Sequence, residues 1–150
     1  MYASDFSPAS LAALPHAITI AKATGAALII VHVLPSPIPL VAETTYIDQA
    51  TWDRLWASAL AEAHRQLDEL LARAREADVP VTGFVVDAWI GSSAALEIVR
   101  AARDKDVGIL VLGTHGRTGI AKLFLGSVAA RVVATAPCPV LTVRAPETAD

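Results

Sequence analysis

Four short apolar runs, at residues 27–34, 81–86, 107–112 and 140–143, are separated by stretches whose apolar residues recur every three or four positions. The runs are too short for buried helices and are rich in Val and Ile, so they read as strands. The stretches between them read as helices. A chain that alternates in this way has few options. Successive strands joined through a helix run parallel, and a parallel sheet must be covered on both faces. The implied class is therefore α/β, with a mainly parallel sheet between two layers of helix.

Local signals mark the element ends. Ser7 suits an N-cap and Pro8 the first helical position. Leu11, Leu14, Ile18 and Ala21 continue a helical stripe that Gly25 stops. Pro15 lies within that stripe and removes a bond to the Leu11 carbonyl, so a kink is expected there. Prolines at 35, 37 and 39 close the run at 27–34, and residues 35–49 read as a long loop, a lid or partner contact. A long amphipathic helix follows. Trp52, Trp56, Leu60, Ala63, Leu67, Leu70 and Ala74 form its core stripe, and Glu62, Arg65, Glu69 and Arg73 its wetter faces. Asp78-Val79-Pro80 closes it. Gly91-Ser92-Ser93 reads as a turn and cap before a helix that carries Ala95, Leu96, Ile98, Val99 and Ala102, and a last helix is expected over 123–134. A regular pattern also needs a strand before Asp5. Only residues 1–4 are available, so that strand is very short or cut by the start of the chain.

Length and composition set the outer bounds. The 150 residues fit one domain, residues 1–150, and 54% hydrophobic against 18% charged residues permits a large core. A net charge of −3 speaks against a nucleic-acid reader, which needs a basic face. No apolar stretch reaches the roughly 18 residues of a membrane span, and the first residues lack the pattern of a secretory signal. One cysteine, Cys138, leaves no internal disulfide. A cytoplasmic protein is the expectation.

The run at 107–112 is followed by glycines at 113, 116 and 126, with Ser127 directly after the last. The spacing is G-x2-G-x9-G-S. Ligands of open parallel sheets bind beyond the carboxyl ends of strands. Gly113 and Gly116 can take positive φ and admit a ligand close to the backbone. Gly126-Ser127 falls at the start of a helical run, where bare N–H groups and the helix dipole favour an anion. Together they describe a polyphosphate cradle, with Arg117 and Lys122 able to add charge at its rim. The loop GxxxxGK[ST] is absent, and so is GxGxxG after the first strand, which speaks against Walker-type and dinucleotide enzymes.

This glycine-serine pattern resembles the nucleotide-binding signature of the universal stress protein family. The likeness spans nearly the whole chain. "SDFSPASLAAL" is similar to the family's first strand-to-helix turn, "AALIIVHVL" to its second strand, and "VLGTHGRTG…LFLGSVAARVVATAPCPVLTVR" to its C-terminal third. The resemblance implies a five-stranded sheet in the order 3-2-1-4-5, Rossmann-like and adenine nucleotide alpha hydrolase-like. It implies ATP binding, since the branch with the signature binds ATP. Ala3, Ser4 and Asp5 would line the adenine and ribose side, and Val33 would offer backbone groups to the adenine edge. Gly113, His115, Gly116, Gly126, Ser127 and Val128 would hold ribose and phosphates. Other adenine nucleotides remain open as ligands, and Mg²⁺ would be met through the phosphates. The family commonly dimerises through its last strand, here Val140–Val143, a short apolar edge suited to antiparallel pairing with its own copy.

The expected function is a small dimeric ATP-binding stress-response protein that acts as a nucleotide-dependent regulator or sensor and is read by a protein partner. The alternatives are a weak ATPase or phosphotransfer enzyme, helped at most by Asp5 and His115, and a dimeric interaction module with a vestigial site. Bland roles are expected elsewhere. Asp5 can also cap the first helix. His16, His32 and His64 have no metal-ligand spacing and read as structural or surface residues. Ser92 and Ser93 read as caps, and Cys138 as a small buried hydrophobe.

Overall fold

The apolar runs become strands of one sheet, joined by a fifth strand from the first residues of the chain. The computed structural model describes residues 1–35, 48–88, 92–114 and 125–145. Its elements are β1 (Tyr2–Ala3), α1 (Pro8–Leu11), α2 (Leu14–Thr24), β2 (Leu28–Leu34), α3 (Gln49–Glu76), β3 (Val81–Asp87), α4 (Ala94–Asp104), β4 (Leu110–Gly113), α5 (Ser127–Thr135) and β5 (Val140–Val143). Neighbouring strands are all parallel, in the order β3-β2-β1-β4-β5. This is the 3-2-1-4-5 sheet that the resemblance implied. Among the described residues no helix is long and apolar enough to cross a membrane.

The short first strand is real and central. Tyr2 and Ala3 pair with Ile30 and Val31 on one side and with Val111 and Leu112 on the other. Alternation along the strands then sorts the core into two faces. Ala3, Val31, Val33, Leu110 and Leu112 point to the layer of α4 and α5, where they meet Ile98, Val99, Ala102, Ala129 and Val132. Tyr2, Leu28, Ile30 and Val111 point the other way, onto Leu14, Ala17, Leu67, Leu70 and Leu71 of α2 and α3.

Three helices end alike. Gly25, Asp78 and Asp106 take left-handed backbone, with φ of 66°, 56° and 48°. The residue after each donates its N–H back to Ala21, Ala74 and Ala102, at 3.0, 3.2 and 3.0 Å. Gly takes this conformation without penalty, and Asp is among the few side chains that tolerate it.

Several boundaries differ from expectation. Pro15 does not kink a helix. The segment breaks at Ala12 and Ala13, and Pro15 falls in the first turn of a new helix, α2, where its missing N–H costs nothing. The strand at 107–112 begins only at Leu110, because Asp106 and Val107 still close α4; it ends at Gly113. The last helix does not include Leu125 or Gly126. It starts at Ser127, and residues 123 and 124 lie outside the described residues. Gln49 belongs to α3, which Asp48 caps, and the rest of the expected loop, 36–47, lies outside the described residues.

The core stripe of α3 is also shorter than expected. Ala63, Leu67, Leu70 and Ala74 are buried, but Trp52, Trp56 and Leu60 are only half-buried. Length explains this. A helix of 28 residues is about 42 Å long, whereas β2 and β3, with seven residues each, span about 23 Å. The helix outruns the described strands, and the residues buried along it lie in its C-terminal half. On its outer face Arg65 joins Glu62 and Glu69, and the Arg65 hydrogen bond holds the Glu62 pKa down to about 2. The pair is fully exposed and adds little to stability.

Candidate functional site

β1 lies between β2 and β4, so the chain leaves the sheet in opposite directions on its two sides, and a crevice opens there. It forms a cavity of about 310 Å³. One wall is apolar: Ala3, Val31 and Val33 from the strands, Ala94 and Ile98 from α4, and Ala129 from α5. Polar lining comes from Ser4, Asp5, Ser10, His32, Thr114 and Ser127. Asp5 and His32 are the titratable side chains among the described lining residues.

The polar lining is tightly bonded. Ser4 Oγ accepts from the Phe6 N–H at 3.1 Å and lies 3.1 Å from both Tyr2 Oη and Ser10 Oγ. Tyr2 Oη donates to the Ser10 carbonyl at 2.8 Å. Burial pushes the Tyr2 phenol above its ordinary pKa. Ser7 caps α1 as expected, accepting from the Ser10 N–H at 3.2 Å. Asp5 Oδ1 accepts from the Ser7 N–H at 3.0 Å, so Asp5 bonds at the entry to the first helix while lining the cavity.

Eight of the ten residues named from the sequence, namely Ala3, Ser4, Asp5, Val33, Gly113, Gly126, Ser127 and Val128, line this one cavity. His115 and Gly116, like Arg117 and Lys122 at the supposed rim, lie outside the described residues. Two glycines act differently from expectation. Gly25 is the glycine with positive φ among those described; Gly113 is not. A Cβ on Gly113 would lie 2.8 Å from the Ala9 carbonyl oxygen and 2.9 Å from Ser10 Cα. The residue is bare because α1 crosses β4 there, backbone against backbone. Gly126 spends its N–H on the Thr114 carbonyl at 2.7 Å, and Thr114 donates its own to Val143 at 2.8 Å. These bonds pin the start of α5 to the ends of β4 and β5. Gly126 is the N-cap of α5 and has no side chain with which to cap it, whereas α1, α3 and α4 are capped by Ser7, Asp48 and Ser93. The first N–H groups of α5, at Ser127 and Val128, therefore begin at the cavity.

Sequence reasoning passed over Ser10, Val31, His32, Pro35, Ala94, Ile98, Leu112, Thr114 and Ala129. Val31 could have been found from its alternation with Val33, and Leu112 as the residue next to Gly113 at the end of β4. Ala94 and Ile98 share one face of α4 at helical spacing, but nothing local aims that face at the glycines. His32, which read as a structural or surface residue, is deeply buried and lies at the cavity. Ser93 caps α4 as expected, but Ser92 donates to the Glu97 carboxylate instead. Cys138 is half-buried against the α4–α5 core, and burial raises its pKa, which keeps the thiol protonated. Among the described residues no group of three His, Cys, Asp or Glu could hold a metal ion.

The model of the universal stress protein family matches residues 1–144. A universal stress protein of Methanocaldococcus jannaschii is 34% identical over 146 residues, covering 96% of this chain and 80% of the relative. The solved structure of a second protein of that organism superposes with a TM-score of 0.83 over 98% of this chain and 95% of the other, at 24% identity. A universal stress protein solved in complex with cAMP is 26% identical, with a TM-score of 0.63 over 96% of this chain and 94% of that one. With its sheet order, its crevice and these likenesses in agreement, the chain belongs to the universal stress protein family.

Proposed function

We propose that this chain, as one domain over residues 1–150, is a cytoplasmic stress-response protein that binds an adenine nucleotide and acts as a dimeric, nucleotide-dependent regulator. One observation carries the reading. The uncapped start of α5 meets the carboxyl ends of β1, β2 and β4 at a single cavity with an apolar wall. Base and ribose would rest on Val31, Val33 and Ile98. The phosphates would accept from the amides of Ser127 and Val128 and from the Ser127 hydroxyl, where the helix dipole favours negative charge. The relative solved with cAMP supports an adenine ligand. ATP fits the same logic, and Mg²⁺ would then be held by phosphate oxygens, since the described cavity offers it only the Asp5 carboxylate. Bound nucleotide would bias the protein towards one arrangement for a partner to read, to the extent that it binds that arrangement more tightly.

Calorimetry with AMP, cAMP and ATP–Mg²⁺ tests this. The wild type is expected to bind at least one of them, and Gly126→Leu, which sets a side chain at the phosphate end, to bind it at least about tenfold more weakly. At a ligand concentration of 100 times Kd, binding to the folded state alone stabilises it by about 2.7 kcal/mol. Tm should then rise by about 5–10 °C for a chain of this size. Absence of heat with all three nucleotides would end the reading.

The dimer is proposed through β5, which among the described residues pairs with β4 alone and leaves Leu141 exposed. In a two-fold contact Leu141 would face the partner's copy of the same strand, so Leu141→Lys would set like charges together. Sedimentation is expected to give two chains for the wild type and one for the variant, with unchanged circular dichroism. A monomeric wild type would refute this contact.

A further inference from the structure

We propose that His32 is a positioning residue for the nucleotide site: its imidazole, rather than the sheet, holds the turn that carries Asp5 into the cavity. The proposal rests on the reading of that cavity as an adenine-nucleotide site. It starts from the length of β1. A strand of two residues leaves the ladder early, and its last bond is from the Ser4 N–H to the Val31 carbonyl at 3.0 Å. Asp5 comes next, beyond the reach of the ladder, yet it lines the cavity.

Where the ladder stops, a side chain takes over. His32 Nδ1 lies 2.8 Å from the Ser4 carbonyl oxygen, reaching across from β2. A carbonyl only accepts, so Nδ1 carries the hydrogen and donates it. This holds for the neutral ring and the protonated one alike. On the other side of Asp5, the Phe6 ring packs on the same imidazole, with centroids 4.3 Å apart and planes at 31°. Phe6 has φ of 62°, an outlier for so bulky a residue. Such a conformation persists only where the surroundings over-determine it. The His32 ring, only 2% exposed, thus grips the residue before Asp5 by a hydrogen bond and the residue after it by ring contact. One rigid side chain clamps both flanks of Asp5, and the carboxylate is presented to the ligand without the entropy cost of ordering its turn on binding.

Three variants test the assignment. In His32→Asn the amide nitrogen can take the place of Nδ1; in His32→Gln it sits one bond farther out; His32→Leu has no donor. The first readout needs no ligand: hydrogen exchange at the Phe6 and Ser7 amides, which bond within the turn to Ser4 Oγ and Asp5 Oδ1. The second is calorimetric affinity for AMP, cAMP and ATP–Mg²⁺. The third is exchange in β5, which reports global opening. His32→Leu is expected to speed exchange at Phe6 and Ser7 by about tenfold and to weaken binding by about tenfold, the scale of one buried hydrogen bond. His32→Asn should return both to within about threefold of wild type, with β5 unchanged. Should His32→Leu fail to fold, His32→Gln takes its place as the loss variant. Wild-type behaviour of the loss variant, or an Asn variant no better than it, overturns the proposal. If the wild type binds none of the nucleotides, the functional reading fails, while the exchange comparison still decides whether His32 holds the turn.

Discussion

Gly113→Ala should cost about 2–3 kcal/mol of stability and lower Tm by about 5–10 °C. The new Cβ would meet the Ala9 carbonyl oxygen at 2.8 Å, its carbon at 2.9 Å and Ser10 Cα at 2.9 Å. All three are backbone atoms, so no rotamer change can make room. Either α1 lifts from β4 or the strand shifts, and both movements disturb the wall that Ser10 and Gly113 share at the cavity. Nucleotide affinity should therefore fall with stability. Two other glycines serve as controls. Gly108 has open space around its would-be Cβ and no positive φ, so Gly108→Ala should stay within about 0.5 kcal/mol of wild type. Gly25 also has open space but φ of +66°, so Gly25→Ala should cost about 1 kcal/mol from backbone strain alone. Urea unfolding of the three variants should rank them Gly113, Gly25, Gly108. A Gly113 variant as stable as the Gly108 variant would show that the close approach of α1 is not rigid.

Tyr2→Ala should cost about 3–5 kcal/mol, enough to threaten folding. Tyr2 is half of a central strand, fully buried, with its ring in the α2–α3 core and its hydroxyl on the Ser10 carbonyl. Tyr2→Phe keeps the ring and loses the hydrogen bond, so it should cost only about 1 kcal/mol. The difference between the two measures the ring. The hydroxyl adds a pH dependence of fixed sign. Folding raises the Tyr2 pKa, chiefly by burial, above the ordinary value of 10.0. Its stabilising contribution is whole below about pH 10 and is lost as pH rises through the higher folded-state value. The stability gap between wild type and Tyr2→Phe should hold steady from pH 7 to 9 and narrow above pH 10. A gap that widens in alkali would mean that the phenol is not buried as described.

Much of the site could be read from the chain because its backbone roles are local. Gly126 and Ser127 stand directly before a stretch of helical spacing, and Gly113 follows directly on an apolar run. The reason for Gly113 is not local. Positive φ is the common use of glycine, whereas here α1, about one hundred positions earlier in the chain, comes to rest on it. His32 shows the same limit. Its chemistry is plain from its type, but its partners, the Ser4 carbonyl and the Phe6 ring, depend on β1 and β2 lying side by side. Trp52 and Trp56 fit a core stripe by spacing, and only the ratio of helix length to strand length reveals that the helix outruns the described strands.

The sequence by itself determined the class of fold, the alternation of parallel strands with helices, the capped helix starts at Ser7 and Ser93, and the left-handed stop at Gly25. Each follows from the conformational preferences of residues within a few positions of one another. Only the tertiary structure decided that two residues suffice for the central strand, that Gly113 is bare to admit α1, that α3 outruns the described strands, and which apolar side chains of β2, α4 and α5 share the wall of one cavity. Those outcomes depend on the close packing of segments far apart in the chain, where a contact of 2.8 Å is set by the whole assembly of layers rather than by any local pattern.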